Sequence, residues 1–153
     1  GNLTASSAAG DIVRSTISKS SGKWYWEYTQ SVQHSTIGIA TSGASLTSIF
    51  LGVDAFGWSY FNNTGTKINN NVQTAYGATY ANGDVIGIAL DVDGGTLEFF
   101  KNNASQGVAF TGLSGTFFAA WGTGTIGCTG TVNFGATALT YTPPTGFNAG
   151  LYA

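Results

Sequence analysis

Charged residues are scarce in this 153-residue chain. Asp, Glu, Lys and Arg make up 8% of the residues, against about 25% in average soluble proteins. Only five residues are Lys or Arg, and the formal net charge is −2. The chain therefore lacks the basic surface that binds nucleic acid or anionic lipid, and we expect neither as a partner. Its solubility must come from hydroxyl and amide groups, which suits a protein that lies within or upon a larger assembly.

Cysteine, methionine and long apolar runs are also missing or nearly so. The single cysteine, Cys128, excludes an internal disulfide and a multi-cysteine zinc site. No apolar run reaches the roughly 18 residues needed to cross a bilayer, so we expect no membrane insertion. The absence of Met favours a domain that was cut from a longer chain.

Short strand-like segments fill most of the sequence. Hydrophobic residues account for 42% and aromatic residues for 14%, enough to build the core of one domain spanning residues 1–153. β-Branched and aromatic runs, divided by Gly, Asn, Ser and Asp, predict strands at Lys23–Gln30, Ser35–Ala40, Phe56–Phe61, Asp84–Val92, Thr96–Asn102, Gly115–Gly122 and Gly130–Gly135. Ala44–Ile49 is the only candidate for a helical turn. The pattern predicts an all-β sandwich or barrel of antiparallel strands.

Two acids one residue apart, Asp91 and Asp93, occur in the stretch DVIGIALDVDGGTLEFFKN. A calcium loop of the D-x-D-G type would need a bidentate Glu about six residues after the Gly, and Glu98 comes too early. Asp93, Gly94 and Gly95 instead suit a two-residue hairpin turn, because they accept positive φ at little cost. We therefore expect an antiparallel hairpin here, and no bound metal.

No catalytic constellation emerges from the sequence. His34 is the only histidine, it lies far from Cys128, and no G-x-S-x-G elbow is present. The four tryptophans could stack on sugars, but each lies in a strand pattern, which favours core packing; they are Trp24, Trp26, Trp58 and Trp121. The expectation is a non-enzymatic protein without a cofactor.

Six blocks of sequence in a fixed order resemble the SPRY domain. They run from SGKWYWEYT and IGIA through GWSYFNNTGTKINNN and GDVIGIALDVDGGTLEFFKN to GVAFTGLSGTFFAAW and CTGTVNFG, followed by YTPPTGF, and cover Ser20–Phe147. The resemblance implies a concanavalin A-like sandwich of two antiparallel sheets, without catalytic machinery, whose loops bind peptides or protein surfaces. The low charge and the YTPPTGF ending are most similar to SPRY-like domains in bacteriophage structural and tail proteins.

The resemblance also implies a recognition end formed by three loops, Thr41–Ile49, Asn62–Asn71 and Thr123–Gly127. Its candidate binding residues are Ser42, Ser45, Lys67, Asn69, Asn70, Asn71, Thr123 and Thr125. The chain departs from the family's peptide-binding members because the stretch from Lys67 to Asn71 holds no Arg and no aromatic residue. Amide and hydroxyl groups of this kind suit glycans or neighbouring coat subunits.

Three hypotheses for the function follow. The leading one is a recognition or structural module of a bacteriophage virion, on a tail fibre, baseplate or head surface. Its partners would be other virion proteins, copies of itself, or a host cell-surface glycan or protein. The second is a free adaptor that binds a short peptide, with an extracellular location as the alternative to the virion. The third is a glycan-active enzyme, which would need two carboxylates about 5 to 9.5 Å apart. No such pair can be assembled from the seven acids.

Overall fold

The computed structural model describes residues 3–6, 11–31, 34–48, 50–123 and 129–152. Across these residues it contains thirteen strands and no helix. The strands are β1 (Leu3–Ser6), β2 (Ile12–Lys19), β3 (Lys23–Gln30), β4 (Thr36–Ala40), β5 (Gly57–Phe61), β6 (Thr66–Asn69), β7 (Val72–Ala75), β8 (Val85–Asp91), β9 (Thr96–Lys101), β10 (Ala104–Phe110), β11 (Phe117–Gly122), β12 (Thr129–Asn133) and β13 (Asn148–Ala149).

The strands form two antiparallel sheets, so the predicted β-sandwich is confirmed. Sheet A has the order β1-β12-β3-β8-β9-β10, with β13 added in parallel beside β3. Sheet B has the order β2-β11-β4-β5-β6-β7. The helical turn expected at Ala44–Ile49 is wrong for residues 44–48, which form bends; Ile49 lies outside the described residues.

A large aromatic core fills the space between the two sheets. Trp26, Tyr28 and Trp121 are almost fully buried there, and the Trp121 indole N–H donates to the Tyr28 hydroxyl across the core at 2.9 Å. Trp24 and Trp58 are half-buried and pack against the same cluster. All four tryptophans therefore contribute to the core, as their strand patterns predicted.

The β8–β9 hairpin pairs as expected, with Asp91 opposite Thr96. Its connection differs from the prediction, because four residues, 92–95, separate the strands instead of two. Only Gly95 among them adopts a positive φ, at 65°. Four-residue hairpin loops are commonly built around a type I turn, which needs fewer positive φ values than the two-residue types.

Both outer faces of the sandwich are covered. Residues 41–48 and 50–56 cross the outside of sheet B, where Leu51 packs in a small second core with Ile12 and Ala120. The C-terminal segment crosses the outside of sheet A, where the buried Glu27 carboxylate accepts the backbone N–H groups of Thr140 and Tyr141 at 2.7 and 2.8 Å. The covering segments also bond to the sheets beneath them, since the Leu51 N–H donates to the Thr36 hydroxyl at 2.9 Å, and such bonds allow a segment to lie on a buried surface.

Candidate functional site

The long connection from β4 to β5 is organised by one carboxylate, Asp54. Its two oxygens accept the backbone N–H groups of Ser45 at 2.8 Å and Phe56 at 2.9 Å. The bond to Phe56, two residues ahead, is the local turn chemistry that Asp favours. Because Ser45 lies nine residues before Asp54, the carboxylate holds the two arms of the connection together. We call the exposed surface of residues 41–48 and 54–56 the loop face.

Two apolar side chains stand on the loop face among polar neighbours. Leu46 is 40% exposed and Phe56 is 49% exposed, while Ser42 and Thr47 are exposed beside them. The sequence pattern predicted a strand that begins at Phe56, but β5 begins one residue later, at Gly57. Phe56 was therefore missed as a surface residue. The DAFG sequence was the available signal, since an Asp two residues before an aromatic can start a turn that exposes it.

The β6–β7 hairpin adjoins the loop face. Its two-residue turn consists of Asn70 and Asn71, whose positive φ values of 50° and 59° are those of a type I′ turn. The Asn70 N–H donates to the Asp54 carbonyl and the Asn71 N–H to the Gly52 carbonyl, both at 2.9 Å. Asp54 therefore contacts Ser45 and Phe56 through its carboxylate and Asn70 through its backbone carbonyl. These contacts make the hairpin turn and the loop face one connected surface.

A groove runs beside this hairpin, along the open side of the sandwich. Polar residues of β6 and β7 face Phe110 of β10 in the other sheet, across a volume of about 310 Å³. We call it the edge groove; its lining residues are Lys67, Asn69, Asn70, Val72, Thr74 and Phe110. The Lys67 ammonium donates to the Ala109 carbonyl at 2.5 Å and lies 5.3 Å from the centre of the Phe110 ring. Both polar and apolar side chains therefore line the groove.

The structure brings some of the predicted binding residues together and separates others. Ser42 and Ser45 lie on the loop face, while Lys67, Asn69, Asn70 and Asn71 lie on the adjoining hairpin and edge groove. The Asn69 amide is itself engaged, donating to the Gly57 carbonyl at 2.8 Å.

Two other predicted positions lie elsewhere. The Asn62–Asn71 stretch spans both ends of β6, so its first residues face the opposite end of the sandwich from Asn70. Thr123 is fully buried, and its N–H and hydroxyl both point to the Asp11 carbonyl, at 3.3 and 3.4 Å. Its side chain is not available to a surface ligand. Thr125 and Cys128 lie outside the described residues.

The acidic pair of the β8–β9 hairpin serves the turn. The Asp91 carboxylate forms a 2.8 Å ion pair with Lys23 and accepts the Gly94 N–H at 2.7 Å. Asp93 accepts the Gly22 N–H at 2.9 Å, which ties the hairpin to the start of β3. Burial raises the pKa of Asp91, but Lys23 and the backbone N–H groups of Gly94 and Asp93 outweigh it, so the net pKa lies below its usual value.

The ion pairs of Asp91 with Lys23 and of Asp84 with Lys101 predict a loss of stability in acid. The pKa of Asp84 is likewise lowered: burial raises it, but hydrogen bonds from Ala81 and Asn102 and the charge of Lys101 outweigh that effect. A carboxylate whose folded pKa is depressed stabilises the fold above its unfolded pKa of about 3.9 and loses that contribution as the pH falls through the folded value. The urea midpoint should therefore change little between about pH 7 and 5 and fall below about pH 4. Asp91→Asn should show a shallower fall, and an acid response identical to that of the wild type would contradict this assignment.

The sequence of the chain matches known proteins over this same sandwich. The model of the SPRY domain family matches residues 23–137. The chain belongs to the SPRY domain family. It is 33% identical over 111 residues, 71% of its length, to a protein from Dictyostelium discoideum described as a probable ATP-dependent RNA helicase ddx1. It is 30% identical over 106 residues, 69% of its length, to Ran-binding protein 9 of Xenopus tropicalis, and likewise to that of Xenopus laevis.

The SPRY chain spans only 14% of the helicase and 19% of each Ran-binding protein. The match therefore concerns one module of each longer protein. SPRY domains are typically protein-interaction modules, so family membership is consistent with the predicted recognition class.

Proposed function

We propose that this chain is a non-enzymatic module that binds a protein partner through the loop face and the adjoining edge groove. The observation that supports this proposal is the convergence of three segments on Asp54, through the Ser45, Phe56 and Asn70 amides. Binding residues generally stand on loops that a rigid frame holds in place. Pre-ordered loops also lose less conformational entropy when a partner binds.

The chemistry of the surface fits protein recognition. Half-exposed Phe56 and Leu46 supply apolar contact area, and the hydroxyl and amide groups around them supply a polar rim, which is the usual arrangement of an interface. Aromatic residues often carry a large share of binding energy when a partner buries them. The surface has little charge beyond Asp54 and Lys67, so long-range steering should contribute little to association.

A place in a bacteriophage virion is the finer form of this proposal. The partners would then be other virion proteins or copies of the chain, and a host glycan could bind the amides of the edge groove. The low charge and the resemblance noted in the sequence support this idea. The relatives reported above come from an amoeba and two frogs and add no support to it. A glycan array with wild-type protein and Asn70→Ala tests attachment, and the absence of any glycan signal would leave only the protein-binding form.

Truncation of the Phe56 side chain should weaken partner binding without lowering the stability of the fold. If Phe56 is a central contact, Phe56→Ala should weaken binding by about 2 kcal/mol, roughly 30-fold, while stability changes little because the ring is half-exposed. The measurement is capture of partners from cells that contain the parent protein, followed by titration of the recovered partner. Tyr152→Ala is the matched control, since Tyr152 is 54% exposed on another part of the surface. Equal affinity of the two variants would refute a binding role for the loop face.

A further inference from the structure

The outer strands of the two sheets differ in how well they are protected against pairing with another chain. Natural proteins protect such edges with bulges, charges, prolines or covering segments. Strand β10 contains two register irregularities next to Gly107, whose φ is 84°. Strand β2 carries Arg14 and Lys19. Strand β7 has the sequence VQTA, with no charge, no proline and no bulge, and all four of its residues are exposed.

The free hydrogen-bonding groups of β7 belong to alternate residues. In a two-residue hairpin, the pair next to the turn exchanges both of its backbone hydrogen bonds. That pair is Asn69 and Val72, so Val72 and Thr74 direct their N–H and C=O groups toward β6. The 3.1 Å bond from the Tyr76 N–H to the Gly65 carbonyl continues this alternation. Gln73 and Ala75 therefore direct their backbone groups outward, away from the sheet.

From this geometry we infer that β7 pairs with β7 of a second copy of the chain, antiparallel and about a two-fold axis at Gln73. This inference deepens the proposed function by naming one partner. About such an axis, the Gln73 N–H of each copy donates to the Gln73 carbonyl of the other. Ala75 then lies opposite Asn71 of the second copy. One patch is its own complement, so the contact closes as a dimer and does not propagate.

The side chains of β7 are compatible with this arrangement. In the antiparallel register, Val72, which is 61% exposed, lies opposite Thr74 of the second copy, so each valine gains a β-branched neighbour across the axis. No charge lies on the strand itself. The nearest ammonium groups belong to Lys67 on β6, and the two β6 strands would be three strand spacings apart, about 14 Å. Repulsion over that distance is largely screened at physiological salt.

The pairing joins the two edge grooves into one. Val72 and Thr74 line the groove and face the same side of the sheet as Lys67, since all three belong to the same alternating set. In the dimer the two copies of sheet B would form one continuous sheet of twelve strands, with the two grooves meeting at the axis. Because β7 is only four residues long, the contact should be weak between free copies and should strengthen where copies are held close together.

Sedimentation velocity from about 10 µM to about 1 mM tests the inference, a range suited to weak association. The weight-average mass should rise from 15.7 kDa toward twice that value. Gln73→Pro removes only the outward N–H, which an edge strand tolerates, and should abolish the rise. Gln73→Ala, which keeps the backbone donor, should retain it. Gln73→Lys keeps the N–H but places two ammonium groups at the axis, so it should also abolish the rise in weight-average mass. This variant replaces Gln73→Pro in the test if the proline variant does not fold.

Each outcome is decisive. A protein that remains monomeric at every concentration overturns the inference, and so does a dimer that Gln73→Pro and Gln73→Lys leave unchanged. Loss of the dimer in both of these variants, with retention in Gln73→Ala, supports it. A chain that stays monomeric in sedimentation, together with partner capture that depends on Phe56, would leave the proposed function standing while the dimer fails.

Discussion

Replacing Glu27 by Gln is expected to lower the free energy of unfolding by about 3 kcal/mol, because hydrogen bonds to a buried charged group contribute about 1.5–3 kcal/mol each. The Glu27 carboxylate is 2% exposed and accepts two backbone N–H groups, from Thr140 and Tyr141. A glutamine amide offers only one oxygen, so its NH₂ group would face a backbone donor. The negative charge is also felt nearby: after burial, Glu27 is the main factor that raises the pKa of the Tyr25 hydroxyl.

The effect should appear as a fall in Tm of about 6–12 °C, since about 1 kcal/mol corresponds to 2–4 °C for a chain of this size. Amide hydrogen exchange should show the first loss of protection in the C-terminal segment, at Thr140 and Tyr141. Glu98→Gln is the control, because the Glu98 carboxylate accepts its Ser105 hydrogen bond at an exposed site and its loss should cost about 0.5 kcal/mol or less. Equal Tm values for the two variants would show that Glu27 does not hold the segment in place.

The role of Glu27 illustrates what a sequence pattern can and cannot predict. The alternation in KWYWEYTQ placed Trp24, Trp26 and Tyr28 on one face of a strand, and the core contains those three side chains. The same alternation places Glu27 on the opposite face, and a charged residue there is normally expected to be exposed to solvent. It is buried because a segment more than 110 residues later crosses that face. Strand periodicity reports which side a residue faces but not what covers that side.

Six strands were not predicted from the sequence, namely β1, β2, β6, β7, β10 and β13. Three of them illustrate the effect of weak periodicity. Strand β2 alternates few apolar residues, and β6 and β7, with the sequences TKIN and VQTA, are short and polar. Each lies at or near a sheet edge, where fewer side chains reach the core and the apolar signal fades. The Asn70–Asn71 pair between β6 and β7 was the available signal, because consecutive asparagines tolerate the positive φ values of a type I′ turn.

Sequence patterns predicted some residues of the candidate site but not the contacts between distant segments that form it. Ser45 and Asn70 were identified by resemblance as loop residues, but Asp54 was one acid among seven, and no local pattern connects it with Asn70. Their 2.9 Å contact exists only because β4, β5 and β6 lie side by side in sheet B. Thr123 fails as a surface residue for the converse reason: strand pairing places the end of β11 beside Asp11, where its hydroxyl is buried.

Asp54→Ala should therefore weaken partner binding strongly while the sandwich stays folded. The substitution removes the acceptor for the Ser45 and Phe56 N–H groups and should cost about 2 kcal/mol of stability, since Asp54 is only half-buried and water can replace part of the loss. The larger effect falls on binding. Residues 41–48 would no longer be held against Phe56, whereas the Asn70 N–H keeps its acceptor, the backbone carbonyl of residue 54. A partner would then have to order the loop face when it binds, which lowers affinity. We expect a loss of affinity of at least about 30-fold, with faster exchange of the Ser45 and Phe56 amides.

Asp93→Ala provides the matched control for this prediction. The Asp93 carboxylate also accepts a backbone N–H from a distant segment, that of Gly22 at 2.9 Å, but it lies on the β8–β9 hairpin of the other sheet. Because Asp93 is exposed, the substitution should lower stability by less than Asp54→Ala does, and it should leave both the exchange of the loop-face amides and partner affinity unchanged. Comparable loss of affinity in the two variants would mean that the loss is not specific to the loop face. Full affinity in Asp54→Ala, despite faster exchange at Ser45 and Phe56, would show that the partner does not require the order that Asp54 imposes.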